Sequence, residues 1–386
     1  MQYKNNKIGI DLMVISPEEI AANRITGSIV VFTSEILDEI AKQNRSGEFV
    51  LIINSAARRL VSSRFPDFEL CEIGGWMTRM SHRLTGKLME HTLIKCDVYN
   101  RTLKRKGITR VWFPYMVPRY VNHTRVEYVG TCHDLIGLID HGYEAEEYAR
   151  TFANAKGMAT ISNYVKQQVI ARFGVDGGCI DMIPNPIATG DMEGQKRKPI
   201  PDLVNRKYLL DVNGYAPRKN TLTMIEAFGR IKDDTDCDLV LCGGYKEDDY
   251  YNSCVALAER LQIKDRVHML LRVSEEEKNW LFWNCEMCIT PSENEGFGRT
   301  PIEAAVCLKP VISTKATSLE EVTCGLLHYY DDPRDDKALA ELILEVLANP
   351  DSPERLRMIR DTFVERYAPS NVVRQYLAMF ERRFSE

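Results

Sequence analysis

The segment SENEGFGRTPIEA, residues 292–304, places two carboxylates, Glu295 and Glu303, on either side of a Gly-Phe-Gly bend. An offset of eight residues with a turn between them can bring both side chains to one pocket. Gly296 and Gly298 free the backbone for close approach to a ligand. A helix starting near Thr300–Pro301 points its unpaired N–H groups back at the loop, an arrangement that suits phosphate or sugar hydroxyls. The same spacing also describes a solvated helix start with Glu303 in its first turn, near the positive end. The preceding apolar run EMCITPS, the glycines and the helix together favour the ligand reading.

Three other loops carry chemistry. VNGYAPRKN follows the apolar run KYLLDVNG and sets Arg218 and Lys219 beside a helix with Asn220 at its N-cap. Two cations there offer paired donors, fixed charge and a favourable dipole to a diphosphate. A solvated basic turn is the alternative. VGTCHDLIG puts His133 and Asp134 at a strand end, where the ring could bond a hydroxyl and Asp134 could cap the next segment; a lone His-Asp is more often a structural pair. Gly27 lies in a loop after the first strand, where a backbone could approach a ligand.

Short β-branched runs alternate with helical patterns along the chain, at 7–15, 49–55, 110–115, 126–132, 157–162 and 180–185, then at 207–214, 238–244, 266–271, 286–292 and 310–314. Such alternation means βαβ units and parallel sheets, and it happens twice. The polar, proline-bearing stretch 186–206 is the expected linker. Two doubly wound α/β domains are therefore expected, residues 1–190 and 204–368, facing across a cleft, with ligands beyond the carboxyl ends of the strands. A last helix, 369–386, can pack on either.

At 386 residues, 44% apolar and 27% charged, the chain has the makeup of a globular protein with more than one core. Its apolar runs are too short to span a bilayer, and the start reads as a strand rather than a secretory leader. The eleven cysteines, without regular spacing and several of them inside apolar runs, read as buried thiols of a reducing cytosol. Net charge is −5, but residues 1–185 hold 23 Lys/Arg against 20 Asp/Glu, and residues 76–110 hold nine against two. In that segment Met77, Met80, Leu84 and Leu88 follow helical spacing, with Arg79, Arg83 and Lys87 on another side. This is the pattern of a helix on an anionic membrane, and equally of an internal helix with a wet basic face. Nucleic-acid binding is not expected of an acidic chain without a basic-aromatic pattern.

In their order, Gly27, His133-Asp134, Arg218-Lys219 and Glu295 through Glu303, these loops resemble the retaining GT-B glycosyltransferases of family 4, the bacterial polysaccharide-type glycosyl transferase group 1. The likeness is firmest from 207 to 350. There SENEGFGRTPIEAAVCLKPVISTKATSLEEV matches the family's E-x7-E segment, the Pro-Val strand after it and the Ser-Leu-x-Glu-Val beyond. The resemblance implies two Rossmann-like domains, the first binding an acceptor, the second a nucleotide-sugar donor, with the last helix crossing back to the first. It implies that Arg218 and Lys219 bind the donor diphosphate and that Glu303 holds the ribose hydroxyls. Glu295 would contact the donor sugar near the reacting carbon, with the N–H groups of Phe297 and Gly298 on its hydroxyls. Gly214, Arg272, Val273, Arg299 and Thr300 would join the donor site, and His133 would touch the donor sugar. Gly27 and Asp134 would lie on the acceptor side.

The implied reaction transfers a hexose from GDP-mannose or a UDP-sugar to a saccharide or lipid-linked glycan in polysaccharide or lipopolysaccharide assembly. It uses no cofactor and no metal, because cationic side chains and a helix end stabilise the departing diphosphate. Retention could arise from front-face attack, the leaving phosphate taking the acceptor's proton, or from double displacement with Glu295 as nucleophile. Leu271 or Arg272 stands where relatives commonly have glycine beside the nucleobase, Pro186 where glycine is usual, and Gly27 alone where many carry two glycines. A sugar-nucleotide 2-epimerase of the same fold and a non-catalytic nucleotide-sugar-binding module are the competing expectations. The expected place is the cytoplasm, with residues 76–110 as the contact if the inner membrane face is used.

Overall fold

The computed structural model describes residues 7–13, 28–74, 97–135, 138, 145–188 and 196–385. Gly27 and the Met77–Leu88 stripe lie outside these, as does most of the basic segment. Two compact units emerge: one ends at Pro186 and takes back the chain from Pro369, and the other holds Ile187–Ala368.

The first unit is built on a seven-stranded sheet: β1 Ile8–Asp11, β2 Phe49–Asn54, β3 Glu69–Ile73, β4 Arg110–Phe113, β5 Glu127–Cys132, β6 Gly157–Thr160 and β7 Ile180–Met182. Their order is β3-β2-β1-β4-β5-β6-β7, and every pairing is parallel. β2 is buried along its whole length, which is why its sequence is unbroken FVLIIN rather than alternating.

The helix Pro369–Ser385 belongs to this unit. Val372, Val373, Tyr376, Leu377, Phe380 and Phe384 recur at three- and four-residue steps and enter the same core as Trp112 and Val129. The Trp112 ring lies 4.9 Å from Tyr376 and 5.5 Å from Phe380. Thr131 Oγ1, which accepts from Trp112 Nε1, also bonds the Tyr376 hydroxyl at 3.1 Å. Arg382 and Arg383 clamp Asp181 at 2.6 and 3.1 Å. Each large apolar side chain buried this way contributes about 1.5–3 kcal/mol, so the last helix is a structural member of the first unit.

The second unit carries six parallel strands: β8 Tyr208–Val212, β9 Asp238–Gly243, β10 Val267–Leu271, β11 Met287–Thr290, β12 Val311–Thr314 and β13 His328–Tyr330. The order is β10-β9-β8-β11-β12-β13. Strand order therefore reverses between β8 and β11, and the carboxyl ends of strands at such a reversal are where open α/β sheets receive ligands. Helices Thr221–Ile231 and Asp336–Ala348 supply Phe228, Ile231, Leu339 and Ile343 to the core under this sheet. Cys285 and Cys288 do stand at C-x-x-C spacing, an exception to the irregular placing of the other thiols. Both are buried, and burial pushes the Cys285 thiol up to about 12 and Cys288 well above its usual range, so they pack as small apolar groups. Among the described residues no helix is long and apolar enough to cross a membrane.

Candidate functional site

The loop after β8 turns at Gly214, whose φ of +85° favours glycine. A side chain on neighbouring Gly243 would meet the Gly214 Cα at 2.4 Å, so the loops after β8 and β9 touch backbone to backbone. Pro217–Lys219 then form a single 3-10 turn before the helix Thr221–Ile231. Asn220 occupies the N-cap position, but its side chain makes no cap bond. Its amide instead donates to the carbonyls of Pro291, at 3.1 Å, and Pro333, at 2.5 Å. Thr223 Oγ1 donates to its Oδ1 at 2.7 Å. Asn220 in a left-handed conformation thus ties the β8 loop to two other loops, a job incompatible with capping.

The loop after β11 is held as firmly. Glu293 N donates to the Arg218 carbonyl at 2.9 Å. Glu295 N donates to Thr317 Oγ1 at 3.0 Å, and the Glu295 carbonyl accepts from Ser318 Oγ at 2.9 Å. These bonds bring the Glu295 carboxylate to Lys219 Nζ at 2.5 Å and within 4.0 Å of Arg218 Nη1. Side chains of Lys219 and Glu295 are only 10% and 11% exposed. Burial by itself would raise Glu295, but the charge and hydrogen bond of Lys219, then the charge of Arg218, outweigh it and hold the carboxyl below its usual range. Glu295 is therefore an anion at neutral pH. It can accept hydroxyl hydrogens and oppose positive charge, and it has no proton to give. Arg218, the more exposed cation, donates from Nη2 to the Tyr245 hydroxyl at 2.9 Å.

Gly298, at φ +84°, precedes the helix Arg299–Val306 and offers no side-chain cap, which leaves the first N–H groups for other partners. Thr300 Oγ1 donates to the Val212 carbonyl at 2.8 Å and pins this helix start to the end of β8. Glu303 is the fifth helical residue, just past the first turn expected for it from sequence, because the helix begins at Arg299 rather than at Thr300–Pro301. Its Oε1 bonds Arg299 Nε at 3.2 Å, and its Oε2 faces Lys278 Nζ at 3.7 Å. Burial raises Glu303, and Lys278 followed by Arg299 more than reverse this, so it too is held ionised.

The remaining donor-side candidates take different roles. The Phe297 side chain is buried, edge-on to Tyr367 at 5.4 Å, so only its backbone can face a ligand. Val273 is buried as well. Arg272 is exposed at the end of β10, with φ +55° and its N–H on the Gly243 carbonyl at 2.8 Å. A glycine would be at ease there, and an arginine side chain projects instead.

Two groups escaped the sequence reading. Lys278 stands in the charged run SEEEKNW, where nothing in the residue types marks it for burial. Asp211 lies inside the apolar run KYLLDVNG, and a charged type within a buried strand was the available signal. It is 2% exposed and accepts from Asn213 Nδ2 at 2.5 Å. Burial pushes its carboxyl up to about 8 against the pull of Asn213 and Lys219.

In the first unit, His133 follows β5 and is 5% exposed. Its Nε2 bonds the Pro114 carbonyl at 2.9 Å, and Phe32 meets the ring edge-on at 4.7 Å. Burial lowers the imidazole to about 4 despite that bond. A carbonyl only accepts, so Nε2 carries the hydrogen and the neutral ring presents Nδ1 as an acceptor. Asp134 is half-buried; most of the segment it was expected to cap, 136–137 and 139–144, lies outside the described residues.

Arg218, Lys219 and Glu295 thus form one group at the switch point of the second sheet, and Arg299 and Glu303 on the adjoining helix form another with Lys278 of the helix Glu275–Asn284.

Residues 193–361 match the family described as glycosyl transferases group 1. O-antigen chain mannosyltransferase RfbU of Salmonella typhimurium is 30% identical over 56% of this chain and 57% of its own length. O-antigen chain mannosyltransferase B of Escherichia coli is 27% identical over 59% of this chain and 63% of its own. The chain thus spans less than two thirds of the length of these curated relatives. A glycosyltransferase structure from Rickettsia africae superposes with a TM-score of 0.73 at 16% identity, covering 99% of both chains. The chain has the GT-B fold of two parallel-sheet α/β domains, and its residues 193–361 are a glycosyl transferases group 1 domain.

Proposed function

We propose that this protein is a retaining glycosyltransferase that moves a hexose, mannose first among candidates, from a nucleoside-diphosphate sugar to a saccharide or lipid-linked glycan during bacterial polysaccharide assembly. The observation that carries the reading is the ion-paired Lys219–Glu295 couple, with Arg218 beside it, at the switch point of the second sheet. The relatives' names, O-antigen chain mannosyltransferases, favour mannose and with it a guanosine donor.

In this reading Arg218 and Lys219 meet the two phosphates, each charge-assisted contact contributing about 1.5–3 kcal/mol. Backbone N–H groups of Phe297 and Gly298 and the Glu295 carboxylate take the sugar hydroxyls. Glu303 takes the ribose hydroxyls, and His133 offers Nδ1 to a hydroxyl. The bond between the anomeric carbon and the phosphate oxygen breaks as the acceptor oxygen joins that carbon, and the departing phosphate accepts the acceptor's proton. Glu295 opposes the positive charge that develops on the sugar. A tight pairing with Lys219 also lowers its nucleophilicity, which favours front-face attack over a covalent intermediate. Fixed cations answer the charge on the leaving diphosphate, so the reading calls for no metal.

A thermal-shift screen of GDP, UDP, ADP and their sugar conjugates tests the assignment. Selective stabilisation by one nucleoside diphosphate, with slow release of free sugar and no C2 epimer from the matching donor, is expected. Absence of any shift would contradict the reading, and a C2 epimer would replace it with a 2-epimerase.

A further inference from the structure

Lys278 has no place in the assignments above, yet its surroundings are specific. It lies on the helix Glu275–Asn284, whose first turn holds three glutamates. Glu277 closes a capping box with Ser274 and pairs with Lys198 at 2.8 Å. Glu275 pairs with Lys278 at 2.8 Å, and the lysine side chain, 14% exposed, also faces Glu303.

Glu303 therefore has one cation per oxygen. Arg299 Nε hydrogen-bonds Oε1 at 3.2 Å, while Lys278 Nζ stands 3.7 Å from Oε2. That second separation is too long for a hydrogen bond but short for an attraction between charges in a covered site. Lys278 thus acts on Oε2 mainly through its charge, from a distance beyond hydrogen-bond length. Remove the ammonium, and a guanidinium and carboxylate left together favour the two-pronged pairing that engages both oxygens.

We propose that Lys278 is a positioning residue that keeps Glu303 Oε2 turned outward as an acceptor for a vicinal diol, and so sets the preference of this site for ribose over deoxyribose in the nucleotide. The inference rests on the reading that Glu303 meets the ribose hydroxyls. It adds a residue on a different helix, whose effect is read in selectivity.

Titrating GDP and 2′-deoxy-GDP, and UDP and 2′-deoxy-UDP, into the wild-type chain and Lys278→Met by calorimetry separates the two. The wild type is expected to favour the ribonucleotide of its preferred base by about tenfold or more. In Lys278→Met that ratio should shrink to within about threefold, through weaker ribonucleotide binding with the deoxynucleotide little changed. Lys278→Arg should keep most of the ratio. If Lys278→Met melts too early to titrate, Lys278→Gln carries the same expectation. A ratio kept in the neutral variants, or an equal loss for both nucleotides, would overturn the role of Lys278 and leave the ribose reading standing. A wild type that binds both nucleotides equally would overturn both.

Discussion

Lys219 Nζ and the Glu295 carboxylate lie 2.5 Å apart, each side chain about nine-tenths covered, at the one place in the second sheet where strand order reverses. The pair joins the loop after β8 to the loop after β11. Buried pairs of this kind are weak evidence of stabilisation overall, but leaving one partner alone is expensive. Lys219→Met should lower unfolding free energy by about 3 kcal/mol, and adding Glu295→Gln should restore much of it. Turnover should show a different pattern. Glu295→Gln alone should cut it by about a hundredfold or more with little change in nucleotide affinity, and the double variant should not recover it. Urea denaturation and donor-consumption rates read the two arms; near-normal turnover in Glu295→Gln removes that residue from the chemistry.

Asp211 should impose a pH dependence on stability. Its carboxyl is raised from 3.8 to about 8 in the folded chain, so the folded state favours the protonated form. The stabilisation is complete below the ordinary value and is lost as pH rises through about 8. Asp211→Asn keeps an acceptor for Asn213 and cannot ionise. Its stability relative to wild type should grow between about pH 4 and pH 8 and level off above. A constant difference across that range would show that Asp211 is ionised in the folded chain.

Gly298→Ala tests how closely the donor loop is fitted. The position has φ +84°, and an added Cβ would meet Leu319 Cδ2 at 2.5 Å. A loss of about 1–3 kcal/mol is expected from backbone strain alone, with weaker nucleotide-sugar binding as the N–H groups at the helix start shift. Unaltered melting and affinity would mean that the loop rearranges freely.

Much of the fold was legible in advance because buried parallel strands announce themselves as unbroken apolar runs. Two strands were not. β3, ELCEI, is an edge strand whose apolar run is interrupted by Glu69 and Glu72, and β13 is only three residues long. The loop residues were legible because glycines and adjacent cations after a strand have few other uses. Pairings were not: nothing in the spacing says that Lys219 meets Glu295, that Asn220 bridges loops, or that Lys278 faces Glu303. Those relationships depend on how separate strand ends converge. Arg299 as the first helical residue moved Glu303 just past the first turn for a similarly local reason, since Gly298 takes up the positive φ and the helix begins at once.

The described end of the basic segment bears on membrane contact. In the helix Val98–Lys106, Tyr99, Thr102 and Leu103 are buried while Lys104, Arg105 and Lys106 are exposed. If this face meets an anionic bilayer, flotation with phosphatidylglycerol vesicles should fall with rising salt, each cation near the surface being worth about 1 kcal/mol. Replacing the three by glutamine should then release the protein. Salt-independent flotation, or none, would assign the face to solvent.

The most direct measurement is calorimetric titration of the preferred nucleoside diphosphate into wild type and Arg218→Ala. Arg218 is the more exposed of the two cations and lies outside the short Lys219–Glu295 contact, so its removal should leave the fold intact. Affinity should drop about tenfold or more, with the phosphate-free nucleoside losing none of its own binding. Equal affinity of the diphosphate for both proteins would contradict a donor seated at the β8–β11 switch point.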